Sequence, residues 1–231
     1  MSFIKYTYRI LIRLFSSANF VCNSIRYKCI SSRDKYIVVT LDSISFWVED
    51  KNFRKFSFPG LVFSGRFWDK KKEKHEVLRN SLKFKGIEEH FKYDVDWIDT
   101  SLFQLRYKPI IESGKEVKGC TDLVSLAKKY YFYDELYEDI KINGISTDLV
   151  DRSIDPIYVY IDGDGSIVYT SNGNHRIYIS MILGVKEIPV KVWGRHTHWQ
   201  EIRDELKLTG EELFYSKYPH LLGHPDLDDV L

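Results

Sequence analysis

The residues best suited to chemistry form one short run, Ser171-Asn172-Gly173-Asn174-His175-Arg176. The pattern predicts that a strand ends, that the chain turns at Gly173, and that a helix runs over 174–183. The first N–H groups of a helix lack partners and carry positive potential, so an anion is a natural ligand. Arg176 offers a planar cation for phosphate, and His175 offers a donor or a titratable base. The spacing alone also fits an ordinary helix start.

Residues 155–193 resemble the ParB/sulfiredoxin superfamily. Its signature is a short strand, a Gly-x-His/Arg-Arg junction that opens a helix, a small residue, a glycine and an Ile-Pro-Val strand. Here these residues are Gly173, His175, Arg176, Ser180, Gly184 and Ile188-Pro189-Val190. The resemblance implies that Gly173, Asn174, His175 and Arg176 bind nucleotide phosphates, and Ser171 in the preceding loop is included in the predicted site.

Two differences from the superfamily limit which of its functions the resemblance implies. Sulfiredoxins carry a catalytic cysteine directly before the His-Arg pair, and Asn174 stands there in this chain, which argues against sulfinic-acid reduction. ParB proteins usually continue into a helix-turn-helix DNA reader, and no such pair of helices is evident after Trp193. Acidic residues outnumber basic ones over 150–205, so the sequence also argues against sequence-specific DNA binding.

A longer resemblance, over about 60–205, is to uncharacterised prokaryotic and viral ParB-like proteins. Their shared motifs are a Trp-Asp pair, a Trp-x-Asp-Thr segment and an Arg-His-x-x-Trp-x-x-x-Arg segment. In this chain they correspond to Trp68-Asp69, to Trp97-Ile98-Asp99-Thr100, and to Arg195, His196, Trp199 and Arg203. Gly65 lies three residues before Trp68, which is further away than in the family pattern.

Five further candidate residues lie outside the junction. Arg195 and His196 follow the third predicted strand, at the end where ligand sites commonly lie, and are predicted to form a second phosphate clamp. The alternative for them is a helix start with surface charges. Asp69 is a candidate general base or metal ligand, or else a cap or salt-bridge partner. Asp162 and Asp164 fit either Mg²⁺ binding or, as we favour, a hairpin turn.

The overall pattern predicts an α+β fold, a small mixed ParB/sulfiredoxin-like sheet with helices, preceded by a helical region and N-terminal strands. Four segments are expected. They are a basic amphipathic segment (1–33), strands and helices that pack on the core (34–150), the phosphate-binding core (151–210) and a C-terminal tail (211–231) with a frayed acidic end. The three cysteines include no Cys-x-x-Cys pair, which favours free thiols in a reducing, cytoplasmic compartment.

Residues 1–33 contain Lys5, Arg9, Arg13, Arg26, Lys28 and Arg33 and no acidic residue, which leaves the rest of the chain mildly acidic. Residues 2–18 are predicted to form an amphipathic helix, with Ile4, Tyr8, Leu11, Leu14, Phe15 and Ala18 on one face. This pattern fits a peripheral membrane surface or a protein partner, an organellar targeting segment, or a helix packed on the body.

Three functions remain open from the sequence. The first is an NTP-dependent phosphotransferase or NTPase that uses ATP or CTP with Mg²⁺, with His175 or Asp69 as the base. The second is a nucleotide-sensing or protein-binding module without catalysis. The third is a ParB-like nuclease or DNA-binding protein, which only the basic N-terminal segment favours.

Overall fold

Strands from both halves of the chain meet in one mixed sheet. This computed structural model describes residues 3–32, 35–48, 59–66, 68–145, 156–170 and 172–230, with side chains from residue 14 onward. The seven strands are β1 (Tyr36–Thr40), β2 (Ile44–Trp47), β3 (Leu61–Phe63), β4 (Lys72–Glu73), β5 (Tyr158–Ile161), β6 (Ile167–Tyr169) and β7 (Glu187–His196). Their order is β1-β7-β5-β6-β2-β4, and β3 pairs with β7. The architecture is therefore mixed α/β, and the predicted segments 34–150 and 151–210 share one sheet.

The long strand β7 joins the N-terminal strands to the C-terminal ones. Its first half runs antiparallel to β1, with Val38 opposite Pro189, and its second half runs parallel to β3, with Leu61 opposite Gly194. On its other side, β7 runs parallel to β5. A Cβ at Gly194 would lie 2.9 Å from the carbonyl oxygen of Leu61, so the close approach of β3 requires a glycine here.

Strand direction decides where the helix after the hairpin begins. β5 and β6 are antiparallel, with Ile161 opposite Ile167 and Val159 opposite Tyr169. The chain therefore returns along β6 to the end of the sheet at which β5 starts, where the strand ends meet the loops. Helix α7 (Asn174–Leu183) follows there. Arg195 of β7 lies beside Ile161, the last residue of β5, which places Arg195 at the opposite end of the strands.

The remaining helices surround this sheet. They are α1 (Phe3–Arg26), α2 (Lys74–Arg79), α3 (Leu82–Tyr93), α4 (Lys108–Glu112), α5 (Leu123–Tyr130), α6 (Phe132–Asn143), α8 (Thr197–Thr209) and α9 (Glu211–Lys217). A π-helical segment spans Leu102–Tyr107. Helix α7 packs against both α3 and α6, and α8 packs against β7 and β3.

Local interactions set several helix bounds. The chain over 74–93 forms two helices, α2 and α3, and the Ser81 hydroxyl caps α3 by accepting from the Phe84 N–H at 3.2 Å. Pro109 lies in the first turn of α4, where its missing N–H costs nothing. Asp122 caps α5, and its Oδ1 accepts from the Ser125 N–H at 2.8 Å.

The C-terminal segment packs on the body. Phe214, Leu221, Leu227 and Val230 are buried, and Asp226 is fully buried among them. The predicted frayed end is therefore wrong, because apolar side chains that recur through 214–230 bury themselves against the core. The core itself is rich in large aromatic side chains, which include Trp47, Trp97, Trp199, Tyr130, Tyr169, Phe103 and Phe214.

Candidate functional site

The junction between β6 and α7 has the backbone of an anion-binding turn. Gly173 adopts the left-handed conformation, with φ 78° and ψ 25°, directly before the first residue of α7. A Cβ at this position would lie 3.0 Å from Cγ1 of Ile157, so both the conformation and the space favour glycine. Gly173 carries no side chain that could cap the helix. The first N–H groups of a helix suit an anionic acceptor.

Tyr169, the last residue of β6, orders the loop. Its hydroxyl lies 2.7 Å from the carbonyl oxygen of Asn172 and 2.7 Å from Oδ1 of Asn174. This contact turns the amide oxygen of Asn174 toward the sheet. Ser171 lies outside the described residues, and Arg176 lies half-buried in the first turn of α7.

His175 is held by aromatic stacking rather than by a carboxylate. Its ring stacks on Tyr133 with 3.8 Å between centroids, and its Nε2 atom is buried with no hydrogen-bond partner among the described residues. Burial, and then the charges of Lys83 and Lys118, lower the pKa of His175 to about 3. His175 is therefore neutral near pH 7 and is a weak base there.

Lys83 and Lys118 lie near this histidine, and Arg106 lies near Lys118. The ammonium of Lys118 lies 4.2 Å from the ring centroid of Tyr130 and 3.1 Å from its hydroxyl. Lys118 is exposed as a residue, but partial burial of its ammonium, and then the nearby Lys83 and Arg106, lower the pKa of Lys118 to about 8. The three cations come from α3, the π-helical segment and the loop before α5, so nothing in the sequence spacing indicates that they meet.

The backbone at Lys118 is itself strained. Its φ is 51°, which is uncommon for a residue with a side chain, and it occupies a tight turn closed by hydrogen bonds between Val117 and Cys120. The ammonium of Lys129 donates to the carbonyl oxygen of Lys118 at 2.7 Å. Among the described residues, no carboxylate lies within salt-bridge distance of Lys118, although an anion would relieve the repulsion between these cations.

Two of these cations, Lys83 and Arg106, line a groove of about 570 Å³. It is lined by Lys72, Glu76, Val77, Asn80, Ser81, Leu82, Lys83, Leu105 and Arg106. Ser81 also lies 3.3 Å from the hydroxyl of Tyr178, one turn into α7. The volume falls within the range of about 300–1,000 Å³ that is typical of small-molecule sites.

The predicted second clamp, Arg195 and His196, does not join the junction. The guanidinium of Arg195 is buried and pairs with Asp226, through Nε at 2.8 Å and Nη2 at 2.5 Å. Nδ1 of His196 accepts from the N–H of His198 at 3.1 Å and so caps α8. Both residues do lie at the carboxyl end of β7. The junction follows the carboxyl end of β6, and β6 runs antiparallel to β5 while β7 runs parallel to β5. The carboxyl end of β7 therefore lies at the opposite end of the strands from the junction.

Asp69 also lies near the end of the strands that is opposite the junction. It is exposed in the turn Trp68–Lys70, and Trp68 packs edge-on against His196 with 5.2 Å between centroids. Asp69 lines a second groove of about 490 Å³, which shares Lys72 and Glu76 with the first. The structure therefore does not place Asp69 beside His175.

Asp162 and Asp164 serve the hairpin turn, which is the alternative that the sequence favoured. Asp162 accepts from the N–H of Gly163 at 2.6 Å and pairs with Lys71. Asp164 accepts from the N–H of Ser166 at 2.9 Å. Within the described ranges, no group of three or more His, Cys, Asp or Glu residues is arranged to hold a metal ion.

The Arg-His-x-x-Trp-x-x-x-Arg motif converges on a residue that the sequence did not single out. Asp226 accepts from Arg195 and, at 2.8 Å, from Nε1 of Trp199, and its Oδ2 lies 3.4 Å from Nη1 of Arg203. Arg203 also pairs with Asp229 at 2.8 Å. The motif therefore fastens the C-terminal segment to α8 and β7.

Comparison with known proteins returns nothing. No protein-family model, curated protein or solved structure matches this chain. Among the described residues, no helix has both the length and the apolar character needed to cross a membrane.

Proposed function

We propose that this protein binds a nucleotide, ATP or CTP, through its phosphates at a site that we call the phosphate cradle. The cradle consists of the first turn of α7 (Gly173–Arg176) and the cations Lys83, Arg106 and Lys118. The observation that carries the proposal is that Lys83 and Lys118 lie near His175 in the first turn of a glycine-started helix, with Arg106 near Lys118, in a chain whose body is mildly acidic.

The electrostatics support an anionic ligand. Like charges that lie close together destabilise one another, and the lowered pKa of Lys118 reflects first the burial of its ammonium and then the repulsion from Lys83 and Arg106. A polyphosphate would accept from the first N–H groups of α7 and from the surrounding ammonium and guanidinium groups. Charge-assisted hydrogen bonds of this kind contribute about 1.5–3 kcal/mol each.

We further propose that the fold is ParB/sulfiredoxin-like. The order of elements supports this assignment, since β5, β6, α7 and β7 follow one another as strand, strand, helix and strand. The junction glycine begins the helix, and Ile188-Pro189-Val190 lies in β7, as the resemblance implies.

Binding without phosphoryl transfer agrees best with the positions of the two candidate bases. His175 has a pKa of about 3 and is therefore a weak base near neutral pH. Asp69 is exposed near the strand ends that lie opposite the junction. The nucleotide-sensing module is accordingly the favoured function. The cations of the cradle favour phosphotransferase or NTPase activity as a second candidate, because phosphoryl transfer depends mainly on positioned positive charge. Mg²⁺ would then be bound by the nucleotide phosphates.

Calorimetry with ATP, CTP and inorganic triphosphate tests the cradle. Lys118→Met is expected to weaken binding by roughly tenfold or more, because one charge-assisted contact is lost. Lys115→Met removes an exposed lysine from the same loop and is the matched control, with binding expected to stay within about twofold of the wild type. Absence of binding to the wild-type protein, or equal losses in both variants, would refute the cradle.

The same preparations separate sensing from catalysis. Protein incubated with ATP or CTP and Mg²⁺ is expected to bind nucleotide and to release no labelled γ-phosphate. Labelled phosphate that appears with wild-type protein, and that is lost with Lys118→Met, would instead assign a phosphotransferase or NTPase activity to the cradle.

A further inference from the structure

Helix α1 turns a polar stripe toward the body. The hydroxyl of Ser16 donates to the carbonyl oxygen of Pro59 at 2.8 Å, and the amides of Asn19 and Asn23 donate to the carbonyl oxygen of Gly60 at 3.0 and 3.3 Å. Ser16 and Asn23 are buried by this contact. The face of a surface helix that meets the core is ordinarily apolar, so this arrangement is inverted.

The apolar side chains of α1 consequently face solvent. Leu14 and Phe15 are each 61% exposed, Val21 is 57% exposed and Ile25 is 84% exposed. At 100° per residue, Leu14, Val21 and Ile25 lie opposite Ser16 and Asn23, and Phe15 lies at the border of their stripe. Several large exposed apolar residues on one helix face mark an interaction surface rather than ordinary scatter.

The charge of the segment indicates what this face meets. Residues 1–33 carry six basic residues and no acidic one. The sequence pattern adds Ile4 and Leu11 beside this apolar face. A second copy of the chain would bring two acid-free basic segments together, which is unfavourable. A surface of anionic lipid headgroups offers both the opposite charge and an apolar layer.

We propose that α1 lies on an anionic membrane surface, with Leu14, Val21 and Ile25 buried at the boundary between headgroups and acyl chains. Phe15 lies at the edge of this contact, and the positive charge of residues 1–33 attracts the segment to the anionic surface. The Pro59 and Gly60 carbonyl groups hold the opposite side of the helix, so the body is carried on the membrane surface by its own N-terminal helix.

Co-sedimentation of the full chain with phosphatidylcholine vesicles, with and without phosphatidylserine, tests this proposal. The wild type is expected to bind the vesicles that contain phosphatidylserine and to dissociate as salt is raised. Ile25→Glu and Ser24→Glu introduce the same charge at neighbouring exposed positions, and the loss from charge alone is at most about fivefold. Ile25→Glu is expected to lose roughly a further tenfold, because it also removes apolar burial. Neither change is expected to alter Tm.

Three results would overturn the proposal. The first is no sedimentation with either vesicle, or equal binding to both vesicles. The second is an equal loss in Ile25→Glu and Ser24→Glu. The third is a concentration-dependent dimer of the free protein that Ile25→Glu abolishes, since the apolar face would then belong to a second copy of the chain.

Discussion

Asp226 shows how much a single buried carboxylate can hold together. Burial raises its pKa, but Arg195 and Arg203 outweigh that effect and keep the pKa well below its usual range. Burial lowers the pKa of Arg203 in turn, and Asp226 and Asp229 more than restore it. The group is therefore fully ionised in the folded protein, and each charge depends on its partners for compensation.

Asp226→Asn is expected to lower the free energy of unfolding by about 3–5 kcal/mol, because two buried guanidinium groups lose their shared counter-charge. Asp228→Asn makes the same chemical change at an exposed position and is expected to shift the free energy of unfolding by about 0.5 kcal/mol or less. Urea unfolding of both variants provides the measurement. Similar effects of the two changes would contradict the structural role of Asp226.

The junction shows the same dependence of chemistry on surroundings. His175 and Lys118 are ordinary titratable residues in the sequence. Their neighbours leave the first neutral near pH 7 and give the second a pKa of about 8. The histidine can therefore contribute a hydrogen bond to a phosphate but not a positive charge, and the charge must come from the lysines and arginines.

At the scale of elements, the contact between α3 and the π-helical segment Leu102–Tyr107 is unusually close. A Cβ at Gly86, inside α3, would lie 2.5 Å from Cβ of Leu102. Lys83 lies in the first turn of α3 and Arg106 in the π-helical segment, so this contact sets the distance between two cations of the cradle. Packing and the candidate site are thus coupled through one glycine.

Gly86→Ala tests this coupling. Helix propensity alone predicts that alanine stabilises the helix by about 1 kcal/mol. The structure instead predicts a loss of about 1–3 kcal/mol, because α3 and Leu102 must move apart. Lys85→Ala, at the neighbouring exposed position, is expected to change stability by about 0.5 kcal/mol or less. An increase in the unfolding free energy of Gly86→Ala, measured in urea, would show that the contact is looser than described.

At the scale of the whole molecule, the N-terminal and C-terminal parts of the chain both pack against the central sheet and helix α8. β1 and β2 join β7 and β6 in one sheet, and the C-terminal residues cover α8. The backbone N–H groups of Lys28 and Cys29 donate to Asp204 at 3.0 and 2.9 Å, which ties the segment after α1 to α8. Unfolding is therefore expected to involve these parts together rather than separate domains.

The stability of the whole molecule is expected to fall in mild acid. The folded-state pKa of His175, about 3, lies below its unfolded value of 6.5, so the unfolded chain binds a proton that the folded chain does not. The stability that neutral His175 provides is present above pH 6.5 and is lost as pH falls toward 3. His224, whose pKa burial also lowers, acts in the same direction.

Urea unfolding at a series of pH values from about 6.5 to 4 isolates the contribution of His175. His175→Phe keeps an aromatic ring against Tyr133 and is expected to reduce the pH slope of the unfolding free energy by up to about 1.4 kcal/mol per pH unit. His75→Phe makes the same change at an exposed position and is expected to keep the wild-type slope. Identical slopes for the two variants would mean that the pKa of His175 is not lowered in the folded protein.

Local sequence determined the parts of this protein that depend on neighbouring residues. The helix over 174–183, the turn at Gly173 and the hairpin before it follow from turn and helix signals within a few residues. The two faces of α1 follow from its periodicity. Tertiary structure decided the rest. It decided which face of α1 meets the body, and it brought Lys83 and Lys118 near His175 and Arg106 near Lys118.

The position of Arg195 shows the physical reason most clearly. The sequence placed Arg195 and His196 at the carboxyl end of a strand, as the structure does. Whether that end meets the junction depends on the direction of β6 relative to β5 and β7, and strand direction is set by pairing between distant segments. The Gly173–Arg176 run could therefore be located from sequence, whereas its partners in the phosphate cradle could not.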